Sequence, residues 1–324
     1  MVGRYLVEVE SKKLHYRLGV ERNITILKGN SGTGKTELIR MILLSKRKDS
    51  PYTVRCEKEC IAITADNIER LDNLESYNDS IIFIDEEAEF VRTHEFARIV
   101  SKSTCYFVIA TRETLPSLPY SCKAIYGIVH LGLDPYVGVM ENSARILYDF
   151  TSKPKLDLRE RLSCVIVEDS NSGYAFFKSI CDRYGVDCIS AKGNSKLAEC
   201  LHRRAMLGTD TGILVIADGA AIGPYFDKLY TSLRLTVPVV LFLPESFEYL
   251  VLRSGLVCDK SDERLTKTYM YACSERYMSW EQYYTALLQS LMDYNKHNLN
   301  QSLLTSSNRK AILNTIPKET GLDG

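Results

Sequence analysis

A chain of 324 residues with 45% hydrophobic and 25% charged content has the composition of a globular protein with room for two domains. Lysine plus arginine and aspartate plus glutamate both total 41, so the formal net charge is zero. That balance excludes a uniformly basic nucleic-acid binder and leaves room for a local basic patch.

The opening MVGRYLVEVESKK carries charge too early for a signal-peptide core. No apolar run approaches the ~20 residues that span a bilayer, so the expectation is a cytoplasmic protein with no membrane contact. Strands are predicted at YLVEVE and KLHYRLG, then at Ile24–Lys28. A glycine-rich stretch, GNSGTGKT at 29–36, follows at once and leads into TELIRMILLSKR, where Leu38, Ile39, Ile42 and Leu43 share one helical face. Further strands are predicted at Cys60–Thr64, Ile81–Ile84 and Cys105–Ala110, with Ile125–Leu131 closing the series. The polar stretch 149–163 reads as a boundary. A second series then runs through Cys164–Val167, Val186–Ser190, Ile213–Ala217 and Val237–Leu243. After Gly255, Trp280, Tyr284, Leu287, Leu288 and Leu291 recur at helical spacing.

Apolar runs alternating with helical patterns predict an α/β fold with parallel sheets. The expected organisation is a nucleotide-binding domain over 1–150, a second α/β domain over 162–255 and a helical tail over 256–324. Ten cysteines follow no regular framework. Cys56 and Cys60 form the closest pair, and no second pair or histidine pair completes a zinc site. Cys105, Cys164 and Cys181 lie inside apolar runs, where cysteine acts as a small hydrophobe, and reduced thiols are expected throughout.

Gly29, Asn30, Ser31, Gly32, Thr33, Gly34, Lys35 and Thr36 satisfy G-x-x-x-x-G-K-[ST] in full, between a predicted strand and a predicted helix. Glycines let backbone amides turn inward around phosphate oxygens, and the helix start adds the positive end of its dipole. Lys35 is expected to reach the β- and γ-phosphates of ATP, and the Thr36 hydroxyl to coordinate Mg2+. The run SIIFIDEE delivers Asp85 and Glu86 to the carboxyl edge of the sheet. Asp85 is the expected partner of the magnesium and Glu86 the group that polarises an attacking water, with Glu87 as its substitute. The strand CYFVIA ends in Thr111 and Arg112. Thr111 could orient the lytic water, and Arg112 could read the γ-phosphate or a neighbouring subunit of a homo-oligomer; a strand end with a solvated arginine is the other reading.

The first 150 residues resemble the additional-strand P-loop ATPases, the branch containing the ABC and AAA-type enzymes. The resemblance rests on these two motifs and the third strand. No LSGGQ-type signature follows, and the insert between the motifs is short for an ABC helical subdomain. A small-molecule kinase would share the loop, but no arginine-rich lid is evident and paired acids suit water activation, so hydrolysis is expected.

In the second series, acids follow the strand ends at Glu168, Asp169 and Asp218, and Gly193 lies in a turn after the second strand. Residues 162–255 thereby resemble the TOPRIM domain of topoisomerases, primases and OLD-family nucleases. The resemblance implies that Glu168 and Asp218 bind magnesium for phosphodiester chemistry on nucleic acid. Ala220 stands where the second acid of D-x-D would fall, and Asp169 where a glycine normally follows the glutamate. Asp169 or Asp227 could compensate for the missing acid. Lys192, Lys196, His202, Arg203 and Arg204 form the best local basic cluster, suited to a phosphate backbone or to a solvated helix face. The whole chain distantly resembles the OLD-family ATPase-nucleases of mobile-element and phage-defence systems. The alternative is an ATP-dependent switch or scaffold whose second domain holds a partner protein and cleaves nothing.

Overall fold

The computed structural model describes residues 1–64, 71–134, 138–148, 156–234 and 237–322. The chain divides into two units, one comprising Met1–Asp149 with Lys267–Ser279, the other Phe150–Thr266 with Trp280–Gly324. The segment expected to be a separate helical tail is therefore shared between the two.

In the first unit the chain forms β1 (Tyr5–Glu10), β2 (Leu14–Val20), β3 (Ile24–Leu27), α1 (Lys35–Ser45), β4 (Thr53–Arg55), β5 (Cys60–Ile63) and β6 (Ile81–Ile84). It continues through α2 (His94–Val100), β7 (Tyr106–Ala110), β8 (Ile125–Leu133) and β9 (Met140–Ile146). All nine strands join one mixed sheet in the order β4-β1-β2-β9-β8-β3-β7-β6-β5. Pairings along β5-β6-β7-β3-β8 are all parallel. β3, β6 and β7 are buried at every position and apolar throughout except for Thr25, the pattern of strands covered on both faces. β1 instead alternates buried and more exposed residues, as one-sided strands do. The last strand expected, over 125–131, is followed by a partner, β9, which pairs antiparallel with β8 and parallel with β2.

α1 buries Leu38, Ile39, Met41 and Ile42, a stripe at helical spacing that packs on β1, β4 and β5. Lys267–Ser279 closes this unit through hydrogen bonds rather than an apolar stripe. The Asn23 side chain donates to the Ser274 and Tyr277 carbonyls, the Gly3 amide donates to the Tyr269 carbonyl at 2.6 Å, and the Met1 ammonium donates to the Ser274 hydroxyl at 2.7 Å.

The second unit contains β10 (Cys164–Val167), α3 (Ser172–Tyr184), β11 (Asp187–Ser190), α4 (Asn194–Ala205), β12 (Ile213–Ile216), α5 (Phe226–Thr231) and β13 (Val239–Phe242). Helices α6 (Phe247–Arg253), α7 (Glu263–Thr266), α8 (Trp280–Leu291) and α9 (Ser306–Leu313) complete it. Its strands form a separate parallel sheet, β11-β10-β12-β13, so the first and third strands are neighbours. Alternation of strand and helix supplies the crossovers that parallel pairing needs. Of the boundary predicted over 149–163, residues 149–155 lie outside the described residues.

Phe176 and Phe177 anchor the core behind this sheet. Both are buried, and their rings meet that of Phe247 at centroid distances of 5.4 and 6.1 Å. Replacing Phe176 by alanine deletes a whole ring from a close-packed site. The variant is expected to lose about 3–5 kcal/mol in denaturant unfolding, and a loss below about 1 kcal/mol would show that the cluster is loosely packed.

Candidate functional site

The glycine-rich loop begins where β3 ends. Gly32 and Gly34 both lie in the left-handed region, at φ 81° and 91°. A Cβ at Gly34 would sit 2.7 Å from the Tyr16 hydroxyl, so that position is closed to side chains twice over. Lys35, the first residue of α1, is buried, and its Nζ donates to the carbonyls of Gly29 at 2.7 Å and Asn30 at 3.1 Å and to the Thr33 hydroxyl at 3.3 Å. Burial lowers the Lys35 pKa, and the Glu86 carboxylate, 3.9 Å from Nζ, works in the opposite direction. A cation bent back over a glycine-rich turn at a helix start is an arrangement that can hold anionic oxygens.

The acids expected beside the loop are there. Thr36 donates its hydroxyl to Asp85 Oδ1 at 3.3 Å, and the same oxygen accepts the Glu86 amide at 2.8 Å. Asp85 is buried, Glu86 half-buried and Glu87 exposed, which favours Glu86 over Glu87 as the residue facing the loop. Arg112 grips Glu86 from the end of β7, with Nη2 to Oε1 at 2.6 Å and Nε to Oε2 at 3.2 Å. Arg112 thus meets an acid of its own subunit. Thr111 is buried, and its hydroxyl donates to the Glu113 carbonyl and accepts the Glu113 amide, each at 3.1 Å, so it shapes the turn that carries Arg112. A hydroxyl and a carboxylate 3.3 Å apart fit a magnesium ion that takes its remaining ligands from phosphate and water.

In the second unit, adjacent β10 and β12 bring Glu168 and Asp218 together, and the Asp218 amide donates to Glu168 Oε2 at 3.0 Å. The cavity over this sheet edge is also lined by Asp169, Glu248, Tyr294 and Lys296. Tyr294 donates to Glu248 Oε1 at 2.8 Å, and the Lys296 ammonium to Glu281 Oε1 at 2.5 Å. Ser172, in the first turn of α3, holds the Lys296 carbonyl with both its hydroxyl, at 2.8 Å, and its amide, at 3.1 Å. Glu248, Glu281, Tyr294 and Lys296 were missed in the sequence because no local spacing links them; they arrive from α6, α8 and the turn after α8.

Electrostatics here follow from burial. Burial pushes Glu168 up to about 7, with Glu281 and Asp169 adding to it while the Asp218 amide and Lys296 oppose it. Asp218 is raised as well, by burial and then by Glu281 and Glu168. Burial disfavours the Lys296 ammonium, but Glu281, Asp218 and Glu248 outweigh it and raise its pKa. Asp169 accepts the Tyr174 amide at 3.0 Å and so serves the start of α3. Ala220 is buried, with its amide on the Glu245 carbonyl at 3.2 Å. Asp227 lies in the first turn of α5. Among the described residues, no group of three or more His, Cys, Asp and Glu side chains is arranged to hold a metal ion. Glu168 and Asp218 are brought together at the sheet edge, and Lys296 is the cation that lines the same cavity.

Two members of the basic cluster around α4 are ion-paired. Arg204 pairs with Asp210 and Asp187, both at 2.6 Å, and Arg203 with Glu199 at 2.9 Å. These pairs leave less free positive charge for a phosphate backbone than the sequence implies. No helix among the described residues is long and apolar enough to cross a membrane. No protein-family model matches the chain, and no curated protein matches it.

The raised Glu168 pKa makes a pH signature. Folded Glu168 keeps its proton up to about 7, whereas an ordinary glutamate releases it at 4.5. The stability so gained is complete below the lower value and is lost as pH rises through the upper one. Denaturant unfolding across this window is expected to show a fall on the order of 3 kcal/mol that Glu168→Gln flattens. A profile identical in the two proteins would mean that Glu168 titrates as an exposed acid.

Proposed function

We propose that the first unit binds ATP with magnesium and hydrolyses it, and that the chain works as an ATP-dependent switch whose second unit holds a partner without cleaving nucleic acid. The observation carrying the first part is the convergence of Lys35 and Thr36, at the start of α1, with Asp85 and Glu86, directly after β6, around one glycine-rich turn. The strand order supports it, because β7 lies between β3 and β6, as the additional-strand reading requires.

Each residue has a separable task. Loop amides and Lys35 would bind the phosphates, and Thr36 and Asp85 would hold a magnesium ion, which would neutralise phosphate charge. Glu86 takes a proton from water as its oxygen attacks the γ-phosphorus; the bond from that phosphorus to the β–γ bridging oxygen breaks, leaving ADP and phosphate. Arg112 orients Glu86. The full chain is expected to bind ATP in magnesium, and Lys35→Ala to abolish that affinity. Glu86→Gln is expected to retain ATP while kcat falls by about 100-fold or more. Unchanged turnover in Glu86→Gln would assign the proton transfer to another group.

For the second unit, what supports the non-cleaving reading is the Lys296 ammonium among the acids together with Ala220 at the position of the second D-x-D carboxylate. Supercoiled plasmid incubated with the full chain and magnesium or manganese, with and without ATP, is expected to stay intact. Nicking that disappears in Asp218→Ala would overturn this and restore the metal-dependent nuclease reading. A partner protein and self-association through the first unit belong to the proposal and are open to co-purification and sizing.

A further inference from the structure

Cys56 and Cys60 occupy a particular place in the first unit. β4 and β5 are the two ends of the nine-stranded order, yet residues 56–59 alone join them. An extended chain cannot carry Cys60 more than about 18 Å from Arg55, so the sheet curls until its ends are close, with α1 packed on both end strands. Within the connecting turn both sulfurs address one residue. The Lys58 amide donates to Cys56 Sγ at 3.5 Å, and the Cys60 thiol points at the Lys58 carbonyl at 3.7 Å.

Cys60 is buried and Cys56 half-buried, and both line an open surface pocket with Lys46, Tyr52 and Glu59. The Cys60 thiol, helped by the Lys58 amide and opposed by burial, lowers the Cys56 pKa to about 7. A half-exposed thiol with that value is substantially thiolate near neutrality, the form that reacts with oxidants. Cys60 is shifted the other way, mainly by Cys56, and stays protonated until its neighbour reacts. Cys188 lowers the Cys181 pKa in a similar way, but Cys181 is fully buried in the core of the second unit.

We propose that Cys56 and Cys60 are an oxidant-sensitive pair that closes into a reversible disulfide and fastens the two ends of the sheet. The oxidant class is a hydroperoxide. The Cys56 thiolate attacks the peroxide oxygen, the O–O bond breaks, and a sulfenic acid forms with release of water or alcohol. The Cys60 sulfur then attacks the sulfenic sulfur, water leaves, and the S–S bond forms. In sum, two thiols lose two hydrogens and the peroxide gains them. The inference stands apart from the nucleotide reading.

Trypsin cuts after Arg55 and Lys58, which places the two cysteines on the separate peptides CEK and ECIAITADNIER. The full chain treated with a small excess of hydrogen peroxide is expected to yield these two peptides cross-linked, and dithiothreitol to release them. Cys60→Ser is expected to leave Cys56 as a dimedone-reactive sulfenic acid. Amides of β4 and β5 should exchange more slowly in the oxidised chain than in the reduced one, with no such change in Cys60→Ser. Peroxide that leaves both thiols free, oxidises Cys56 while Cys60 stays reduced, or cross-links either one elsewhere would overturn the proposal.

Discussion

Level register between parallel strands decides where the chemistry of this protein lies. Leu27 pairs with Ala110 and Ile84 with Ile109, so β3, β7 and β6 finish at nearly one height. Whatever residue follows each strand must then emerge at the same edge. That constraint turns three motifs far apart in sequence into one cluster: Lys35 beyond a short glycine-rich turn, Asp85 and Glu86 directly after β6, and Thr111 and Arg112 directly after β7. No long-range attraction is needed to assemble it, because main-chain hydrogen bonds have already done so.

The second unit repeats the device with a different outcome. Val167 pairs with Ile216, which sets Glu168 and Asp218 side by side. In the first unit the acids face a cationic loop and share a hydroxyl and an arginine. In the second they face one another in a buried pocket, where like charges and desolvation favour the proton over the free carboxylate. Lys296 offsets part of the excess charge. Similar strand-end geometry thus yields acids beside a buried lysine and a glycine-rich turn in one sheet and a buried ionic cluster in the other.

Much of this was legible in the residues. ITIL, IIFI and CVIV announce buried parallel strands because all but Thr25 are apolar, and the observed strands match them to within a residue or two. β4 escaped because three residues at a sheet end, TVR, carry no period. β9 escaped because MENSARI is polar and only partly covered, its place fixed by neighbours on both sides rather than by its own pattern. The glycine-rich loop was readable since each residue in it has a local reason. Lys296, Glu281 and Glu248 were not, since their proximity is a product of tertiary folding alone. The same holds for Arg204, whose charge is plain in the sequence while its two aspartate partners are not.

Because Lys267–Ser279 completes the first unit, the polypeptide passes between the units three times: after residue 149, after 266 and again after 279. The evident seam near residue 150 is for that reason not a place where evolution, or a gene engineer, could recombine freely. A swap there would strip the first unit of the carbonyls that hold Asn23, one residue before β3. The two halves are obliged to be inherited together.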